Sequence, residues 1–235
     1  MSKFWKWTKN EKKNILRLDG VISDWKIDEG DSLTTPKEFR QELSRCKGDI
    51  EICINSPGGN IFAAAEIYAM LKEHSGKITA KIPAYAASAA SVIAMSADVV
   101  EISPLAFLCI HNPYVDVFGG EEKDLADGAK FLHDLKESIT DIYQDKTKLP
   151  RAKISELMDE ETCMNARQAL QLHFADKLMF EDKEGTTAQM YSARRDINLL
   201  FKVYRATQNS AVKSITKNPR SRLMLGCDWR LDNGF

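Results

Sequence analysis

The chain has 235 residues, of which 43% are hydrophobic and 29% are charged, and its formal net charge is −1. A chain of this length can bury enough apolar surface to fold without disulfides or metals, and its charge predicts no general attraction to nucleic acid or to a membrane. The five cysteines are scattered and include no CxxC pair, which argues for a reducing compartment and against a disulfide framework or a zinc site. Cys53 and Cys109 lie in apolar runs, and we expect them to be small core residues.

The N-terminal stretch MSKFWKWTKNEKKN alternates aromatic and basic residues and lacks the continuous apolar segment of a signal peptide. No stretch of the sequence reaches the roughly 18 apolar residues that a membrane-spanning helix needs. We therefore expect a cytoplasmic protein, either of a bacterium or of a phage-infected host cell.

Strands and helices alternate through the first half of the chain. We predict strands over 14–22, 50–54, 78–82, 99–102 and 107–110, helices over 36–46, 61–74 and 88–96, and a loop over 24–35. The stretch Ser-Pro-Gly-Gly at 56–59 indicates a turn, and Asn60 is a good N-cap for the helix that follows it. This alternation predicts an α/β fold.

The second half begins with a long, highly charged amphipathic helix over 121–147, followed by short helices over 150–158 and 166–172. From Lys183 onward the composition changes, with ten lysines and arginines against four acidic residues. We therefore predict one domain over 1–182 and an appended, basic, partly disordered tail over 183–235.

Two stretches suggest an acyl-transfer site, which needs a nucleophile, a base, a group that orients the base, and donors for the oxyanion. Ser88 follows small residues after a strand and opens an apolar helix, a position that suits a nucleophile and equally suits a helix N-cap. Gly58 and Gly59 offer backbone N–H groups with no side chain in the way, although a Pro-Gly-Gly stretch also serves simply as a turn.

His111 is the best candidate for the base because it ends an apolar strand, where it can face a site at the sheet edge. The other three histidines lie at helix ends or on the charged helix, where a solvated or capping role is expected; they are His74, His133 and His173. Acidic candidates for the orienting group cluster at 159–161, and the residues alone do not rank them. Metal or nucleotide chemistry is not indicated, because HExxH, Walker A and GxGxxG motifs are all missing.

Four motifs, in this order and spacing, resemble the proteolytic subunit of the Clp protease. They are INSPGG at 54–59, AAS at 86–88, IHNP at 110–113 and NARQALQLHFADKL at 165–178. The stretches IFAAAEIYAML and AASAASVIAMSAD are typical of the phage and prophage branch of that family, the head maturation (prohead) proteases. The resemblance covers roughly residues 14–182.

The resemblance implies a role for particular residues. Ser88 matches the nucleophilic serine of the family and His111 matches its histidine base, while the backbone N–H groups of Gly59 and Ala89 match its oxyanion donors. Counting back from Asn165 and Ala166 puts Glu161 at the place of the family aspartate, with Asp159 as the alternative. No metal or other cofactor is implied.

The implied fold is a spiral of β-β-α units with a second short sheet at the site and a protruding handle helix. The implied partners are a protein substrate, with capsid or scaffold protein as candidates, and further copies of the chain in a ring. The chain departs from the family at Tyr85, where glycine is usual, at Ala89, where methionine is usual, and at His173, where glycine is common. Its N-terminus does not look like the axial-loop segment of bacterial subunits, which leaves pairing with an unfoldase ATPase open.

The leading hypothesis is a serine endopeptidase of the Clp type that cleaves phage capsid or scaffold protein during head maturation. One alternative is a degradative subunit that an ATPase supplies with substrate. An inactive scaffold homologue and a crotonase-type acyl-CoA enzyme, which shares the spiral fold, are the other two. The crotonase reading leaves Ser88 and His111 without a role.

Overall fold

The structure is a computed structural model that describes residues 5–10, 13–23, 36–115 and 120–180. The predicted loop over 24–35 and the predicted tail over 183–235 lie outside the described residues. The described residues between 114 and 131 belong to one compact unit, and all the others belong to a second, which holds the candidate site.

The described part of the chain contains nine strands and six helices. In chain order they are β1 (Trp5–Asn10), β2 (Lys13–Ile22), α1 (Pro36–Leu43), β3 (Ile50–Gly59), α2 (Ile61–Lys72), β4 (Ile78–Ile82), β5 (Tyr85–Ala87), α3 (Ala89–Ala94), β6 (Val99–Ile102), β7 (Phe107–Cys109), α4 (Glu122–Thr147), α5 (Arg151–Asp159), β8 (Cys163–Asn165), α6 (Ala166–Gln171) and β9 (Lys177–Leu178). This order confirms the predicted α/β pattern.

The strands form one sheet in the order β8-β7-β5-β3-β4-β6-β9, and β2 also pairs with β3 and carries β1 on its other side. Strand β3 divides the sheet into two branches, because its first half pairs with β4, from Ile50 opposite Ile78. Farther along, Ser56 pairs with Ala86 of β5. The branch of β5, β7 and β8 carries the candidate nucleophile and base.

Alternating burial along β3 fixes this strand in the core. Ile50, Ile52 and Ile54 are all 1% exposed or less, and burying each isoleucine contributes about 1.5–3 kcal/mol. Helix α2 begins as predicted, because the Asn60 side chain accepts hydrogen bonds from the first turn. Helix α3 is buried on every side, as its apolar sequence predicts.

The predicted turn at 56–59 is wrong, because β3 continues through it as far as Gly59. Val21 pairs with Gly58 and Ile22 with Gly59, just after a register shift in β2. The Ser56 hydroxyl supports this irregular stretch by donating to the Gly20 carbonyl at 2.6 Å and accepting from the Gly58 N–H at 3.1 Å. The two glycines have φ of 93° and 146°, so the strand runs through conformations that favour glycine.

The expectation that the cysteines form no disulfide is wrong, and the argument from the cysteines for a reducing compartment is lost with it. Cys109 on β7 lies opposite Cys163 on β8, and the two form a disulfide with a Cα–Cα distance of 4.0 Å. Strand β8 is only three residues long, so the sequence does not show that it pairs with β7. Cys46 and Cys53 are partly buried and belong to no disulfide, while Cys227 lies outside the described residues.

Among the helices of the described ranges, none combines the length and the apolar character that crossing a membrane requires. The 26-residue α4, the longest of these helices, has a charged sequence.

Candidate active site

Ser88 stands between β5 and α3 in a backbone conformation that a serine rarely adopts. Its φ is 55° and its ψ is −129°, which costs roughly 1–3 kcal/mol and persists only when the surroundings impose it. The neighbouring strand helps to impose it, since the Ser88 N–H donates to the Cys109 carbonyl at 2.9 Å. The Ser88 side chain makes no capping hydrogen bond to α3, so helix capping does not explain this serine.

Gly58 lies directly against Ser88. A Cβ added to Gly58 would lie 2.7 Å from the Ser88 Cβ, 2.9 Å from the Ala89 nitrogen and 2.6 Å from the Ala87 carbonyl oxygen. Only glycine fits this position, where β3 passes the strand-to-helix junction. Sequence reasoning placed Gly58 and Gly59 together as sources of N–H groups, but it missed this steric requirement.

Gly59 has a different environment. A Cβ at this position would collide with the backbone of Ile22 on β2, and Gly59 is exposed whereas Gly58 is buried. The exposed backbone of Gly59 is therefore open to a ligand on the side away from β2. Ala89, the other expected oxyanion donor, follows Ser88 directly and is 2% exposed.

His111 follows the end of β7, the parallel neighbour of β5. Ala87 and Cys109 are paired, so the two strands bring Ser88 and His111 out at the same end of this branch of the sheet. The His111 Nδ1 lies 2.6 Å from the Asn112 carbonyl oxygen. Because a carbonyl oxygen can only accept, Nδ1 carries the proton in this bond, and Nε2 is left as the basic nitrogen of the neutral ring.

The antiparallel pairing of β7 with β8 brings the acidic cluster to this same end. The Ile110 N–H donates to the Thr162 carbonyl at 2.9 Å, one residue beyond the paired cysteines. Glu161 precedes Thr162 in the chain and so lies near this end of the branch, just outside the paired residues. Glu161 has φ 50°, so the backbone turns sharply there between α5 and β8.

Asp159 is held by other partners. Its Oδ1 accepts from the Asn112 Nδ2 at 2.8 Å and from the Lys136 Nζ at 2.6 Å. These bonds, that from Asn112 first, lower the pKa of the Asp159 carboxyl from its ordinary value. Asp159, at the end of α5, therefore links the segment after His111 to α4, and we expect its role to be structural support.

The remaining histidines lie elsewhere. The His74 Nε2 is 2.7 Å from the Gly48 carbonyl oxygen, and His133 is on α4. His173 has φ 60° just after α6, a conformation that explains why glycine suits this position. Within the described ranges, His, Cys, Asp and Glu side chains form no group of three or more that could hold a metal.

The residue types at this end of the branch are those that acyl transfer uses. They are a serine hydroxyl that is not used as a helix cap, a histidine after the neighbouring strand, an acidic cluster before β8, and the backbone N–H groups of Gly59 and Ala89. A peptide or ester carbonyl attacked by Ser88 develops negative charge on its oxygen, which such N–H groups stabilise.

Comparison with known proteins identifies the relatives of this chain. The family described as "Clp protease" matches residues 40–182. The chain is 29% identical over 142 residues to the ATP-dependent Clp protease proteolytic subunit 1 of Chlamydia muridarum, which covers 59% of this chain and 74% of the relative. It is 30% identical over 150 residues to subunit 1 of Protochlamydia amoebophila, with 62% and 73% covered. It is 32% identical over 137 residues to subunit 2 of Tropheryma whipplei, with 57% and 76% covered.

Proposed function

Since the chain belongs to the Clp protease family, we propose that it is a serine-type endopeptidase with Ser88 as its nucleophile. The observation that carries this proposal is the backbone of Ser88, with φ 55° and no capping bond from its side chain. A strained serine at a strand-to-helix junction is what a nucleophile needs, because the hydroxyl stays available to the substrate.

In the proposed reaction, the Ser88 Oγ attacks the carbonyl carbon of the scissile peptide bond while the His111 Nε2 accepts the hydroxyl proton. The N–H groups of Gly59 and Ala89 donate to the oxyanion of the tetrahedral intermediate. The C–N bond then breaks, and His111 returns the proton to the leaving amine. Water attacks the acyl-enzyme by the same route and regenerates Ser88.

We propose Glu161 as the third member of the triad, in preference to Asp159; in the substrate-bound enzyme the His111 Nδ1–H would donate to the Glu161 carboxylate in place of the Asn112 carbonyl that it contacts here. The support is that Asp159 already accepts hydrogen bonds from Asn112 and Lys136. Glu161→Gln should lower kcat by about a thousandfold, because the histidine loses the charge that stabilises its protonated form. Asp159→Asn is the matched control and should retain most of the activity. The reverse order of the two losses would make Asp159 the triad acid.

A fluorophosphonate probe tests the nucleophile. The wild-type protein and Ser96→Ala should be labelled with the same stoichiometry, while Ser88→Ala should not be labelled. Ser96 suits this control because it is buried beyond α3 and bonds to the Ile93 carbonyl. Equal labelling of Ser88→Ala and wild type would refute the proposal. Mass spectrometry of the labelled peptide identifies the modified residue directly.

Two natural substrates are consistent with an endopeptidase of this family, and they imply different biological roles. The motifs typical of the phage branch favour capsid or scaffold protein cleaved during head maturation. The relatives are named as ATP-dependent, which favours a degradative subunit supplied by an unfoldase. If purified protein cleaves folded capsid protein without ATP, the first version holds. If folded substrates are degraded only with an unfoldase and ATP, the second holds.

We also propose that the chain works as a homo-oligomeric ring in the cytoplasm, with the spiral fold of the family and α4 as its handle helix. Two large apolar side chains of α4, Leu125 and Phe131, are 54% and 49% exposed, and contact with another copy would cover them. In this proposal residues 1–182 form the protease domain, and residues 183–235 are an appended tail. Light scattering of the protein with and without that tail gives the oligomer size and tests both statements.

A further inference from the structure

Two buried hydroxyl groups connect α4 to the backbone of Ser88. The Ser91 Oγ lies 2.6 Å from the Ser88 carbonyl oxygen and 2.8 Å from the Tyr143 hydroxyl. Ser91 is fully buried and Tyr143 is 1% exposed. The carbonyl can only accept, so the single proton of Ser91 is used there, and Tyr143 must donate to Ser91. The chain of donors thus runs in one direction, from Tyr143 through Ser91 to the carbonyl of Ser88.

The acceptor at the end of this series of hydrogen bonds is the carbonyl of the Ser88–Ala89 peptide group, which also carries the Ala89 N–H. The Ser88 carbonyl also accepts from the Ser91 N–H at 2.9 Å, so two donors fix its direction. In a trans peptide the C=O and the following N–H point in opposite directions within one plane. Fixing the Ser88 carbonyl therefore fixes the direction of the Ala89 N–H, the proposed oxyanion donor.

We propose that Ser91 and Tyr143 are positioning residues, which hold the Ser88–Ala89 peptide so that the Ala89 N–H stays aimed at the developing oxyanion. This inference rests on the proposed function, since it takes Ser88 as the nucleophile. The hydroxyl chain also polarises the peptide, because a hydrogen bond to the C=O strengthens the donor at the other end of the same group. Neither residue touches the substrate in this role.

Tyr143 makes this bond in a place where phenylalanine would fill the same space. Its ring packs edge-on against Phe174, with centroids 5.5 Å apart. Burying a phenol hydroxyl is costly unless it is hydrogen-bonded, and burial raises the pKa of Tyr143 well above its ordinary value. A hydroxyl with a raised pKa stays protonated near neutral pH, as its role as donor to Ser91 requires.

The expected kinetic effect follows from where the oxyanion exists. The Ala89 N–H meets a full negative charge only in the tetrahedral state, so loosening its peptide should lower kcat and leave KM unchanged. Ser91→Ala keeps the bond from the Ser91 N–H, so the loss should be about tenfold, less than that for removing a donor outright. Tyr143→Phe removes only the outer bond and should lower kcat about threefold.

The experiment compares wild type, Ser88→Ala, Ser91→Ala, Tyr143→Phe, the double variant of Ser91 and Tyr143, and Ser96→Ala, all as the full chain. Ser96 makes the same kind of hydroxyl bond to a carbonyl three residues earlier, at 2.7 Å, on the other end of α3. Peptidase kcat and KM are measured well below each melting temperature, with active sites counted by fluorophosphonate labelling. The rate of that labelling reports the acylation step separately from turnover.

The proposal is supported if Ser91→Ala and Tyr143→Phe lower kcat and the labelling rate with KM unchanged, while Ser96→Ala matches wild type. The double variant should then be no slower than Ser91→Ala, because both changes break one chain. Equal kcat for Ser91→Ala, Tyr143→Phe and Ser96→Ala would overturn it. If Ser91→Ala does not fold, Tyr143→Phe decides alone. Activity surviving in Ser88→Ala would instead refute the nucleophile.

Discussion

The junction at Asn60 and the junction at Ser88 both lead a strand into a helix, but they stabilise their backbone in opposite ways. Asn60 has ordinary dihedrals, φ −65° and ψ 119°, and its side chain caps the N–H groups of Phe62 and Ala63 at 2.8 and 3.0 Å. Ser88 has φ 55° and no side-chain cap. Its backbone is held from outside, by Cys109 and Ser91.

The comparison separates a polar side chain that stabilises its helix from one that makes no capping bond and can react. At Asn60 the side chain satisfies the helix that it begins, and any substrate would have to displace it. At Ser88 neighbouring residues provide the support, and the hydroxyl stays available. Four predictions test this contrast, in order of decreasing effect.

The largest effect is expected for Gly58→Ala, which disturbs the Ser88 junction without touching the serine itself. The new Cβ would lie 2.7 Å from the Ser88 Cβ, so the junction must shift, and activity should fall about a thousandfold. Gly48→Ala is the matched control, because Gly48 also has positive φ (77°) but open space around it. Equal activities of the two variants would mean that the Ser88 junction tolerates displacement.

The second prediction concerns the disulfide next to the Ser88 junction. Replacing both Cys109 and Cys163 with alanine should lower the free energy of unfolding by about 2–4 kcal/mol, since the bond closes a long loop in the unfolded chain. The bond joins residues 54 positions apart. Denaturant unfolding measures the loss. Alkylation of the denatured wild type without reductant, followed by peptide mass spectrometry, should leave Cys109 and Cys163 unmodified; modification of both would contradict the bond.

The third prediction sets the two junction residues against each other. Asn60→Ala should lower the free energy of unfolding by about 1 kcal/mol with little change in activity per folded molecule, and Asn60→Asp should keep the cap. Ser88→Gly should raise the free energy of unfolding by about 1 kcal/mol, because glycine relieves the strained backbone. The same variant should have no activity, because it lacks the nucleophile. Thermal melts and peptidase assays measure both quantities. If Ser88→Gly is destabilised as much as Asn60→Ala, the strain at Ser88 is absent.

The smallest effect is expected for Asp159, which supports the segment after His111. Hydrogen bonds from Asn112 and Lys136 lower the pKa of the Asp159 carboxyl in the folded state. The ionised carboxylate therefore stabilises the fold above the unfolded pKa of about 4. That stabilisation is lost as pH falls through the folded pKa. The side chain is 54% exposed, so the contribution is under about 1 kcal/mol. Asp159→Asn should be less stable than wild type at pH 7 and equal to it well below pH 4. A constant difference at all pH values would exclude the ionised carboxylate as its cause.

Much of the fold was readable because its signals are local. Asn60 is recognisable as a cap from its residue type, and the bounds of β4 and β6 follow from short apolar runs between turn residues. The resemblance to the Clp protease also led to Ser88 and His111, and the structure brings both to one end of the same sheet branch. Their catalytic roles stay predictions until the labelling experiment is done.

The features that the sequence did not predict depend on contacts between distant parts of the chain. The continuation of β3 through Gly59 requires β2 as a pairing partner, and a Pro-Gly-Gly stretch read alone indicates a turn. The need for glycine at 58 arises from Ser88, thirty residues later. The Cys109–Cys163 bond requires a strand pairing that three residues of β8 do not reveal, and the link from Ser91 to Tyr143 spans 52 residues.

The same disulfide changes the covalent connectivity of the molecule. The chain between Cys109 and Cys163 is a closed ring that contains His111, Glu161, α4 and α5. A single cut within that ring, including one made by another copy of the peptidase, opens the ring but releases no fragment while the disulfide is intact. Nicked protein would therefore migrate as one band without reductant and as two bands with it, and the base and the proposed acid would stay on one covalent molecule.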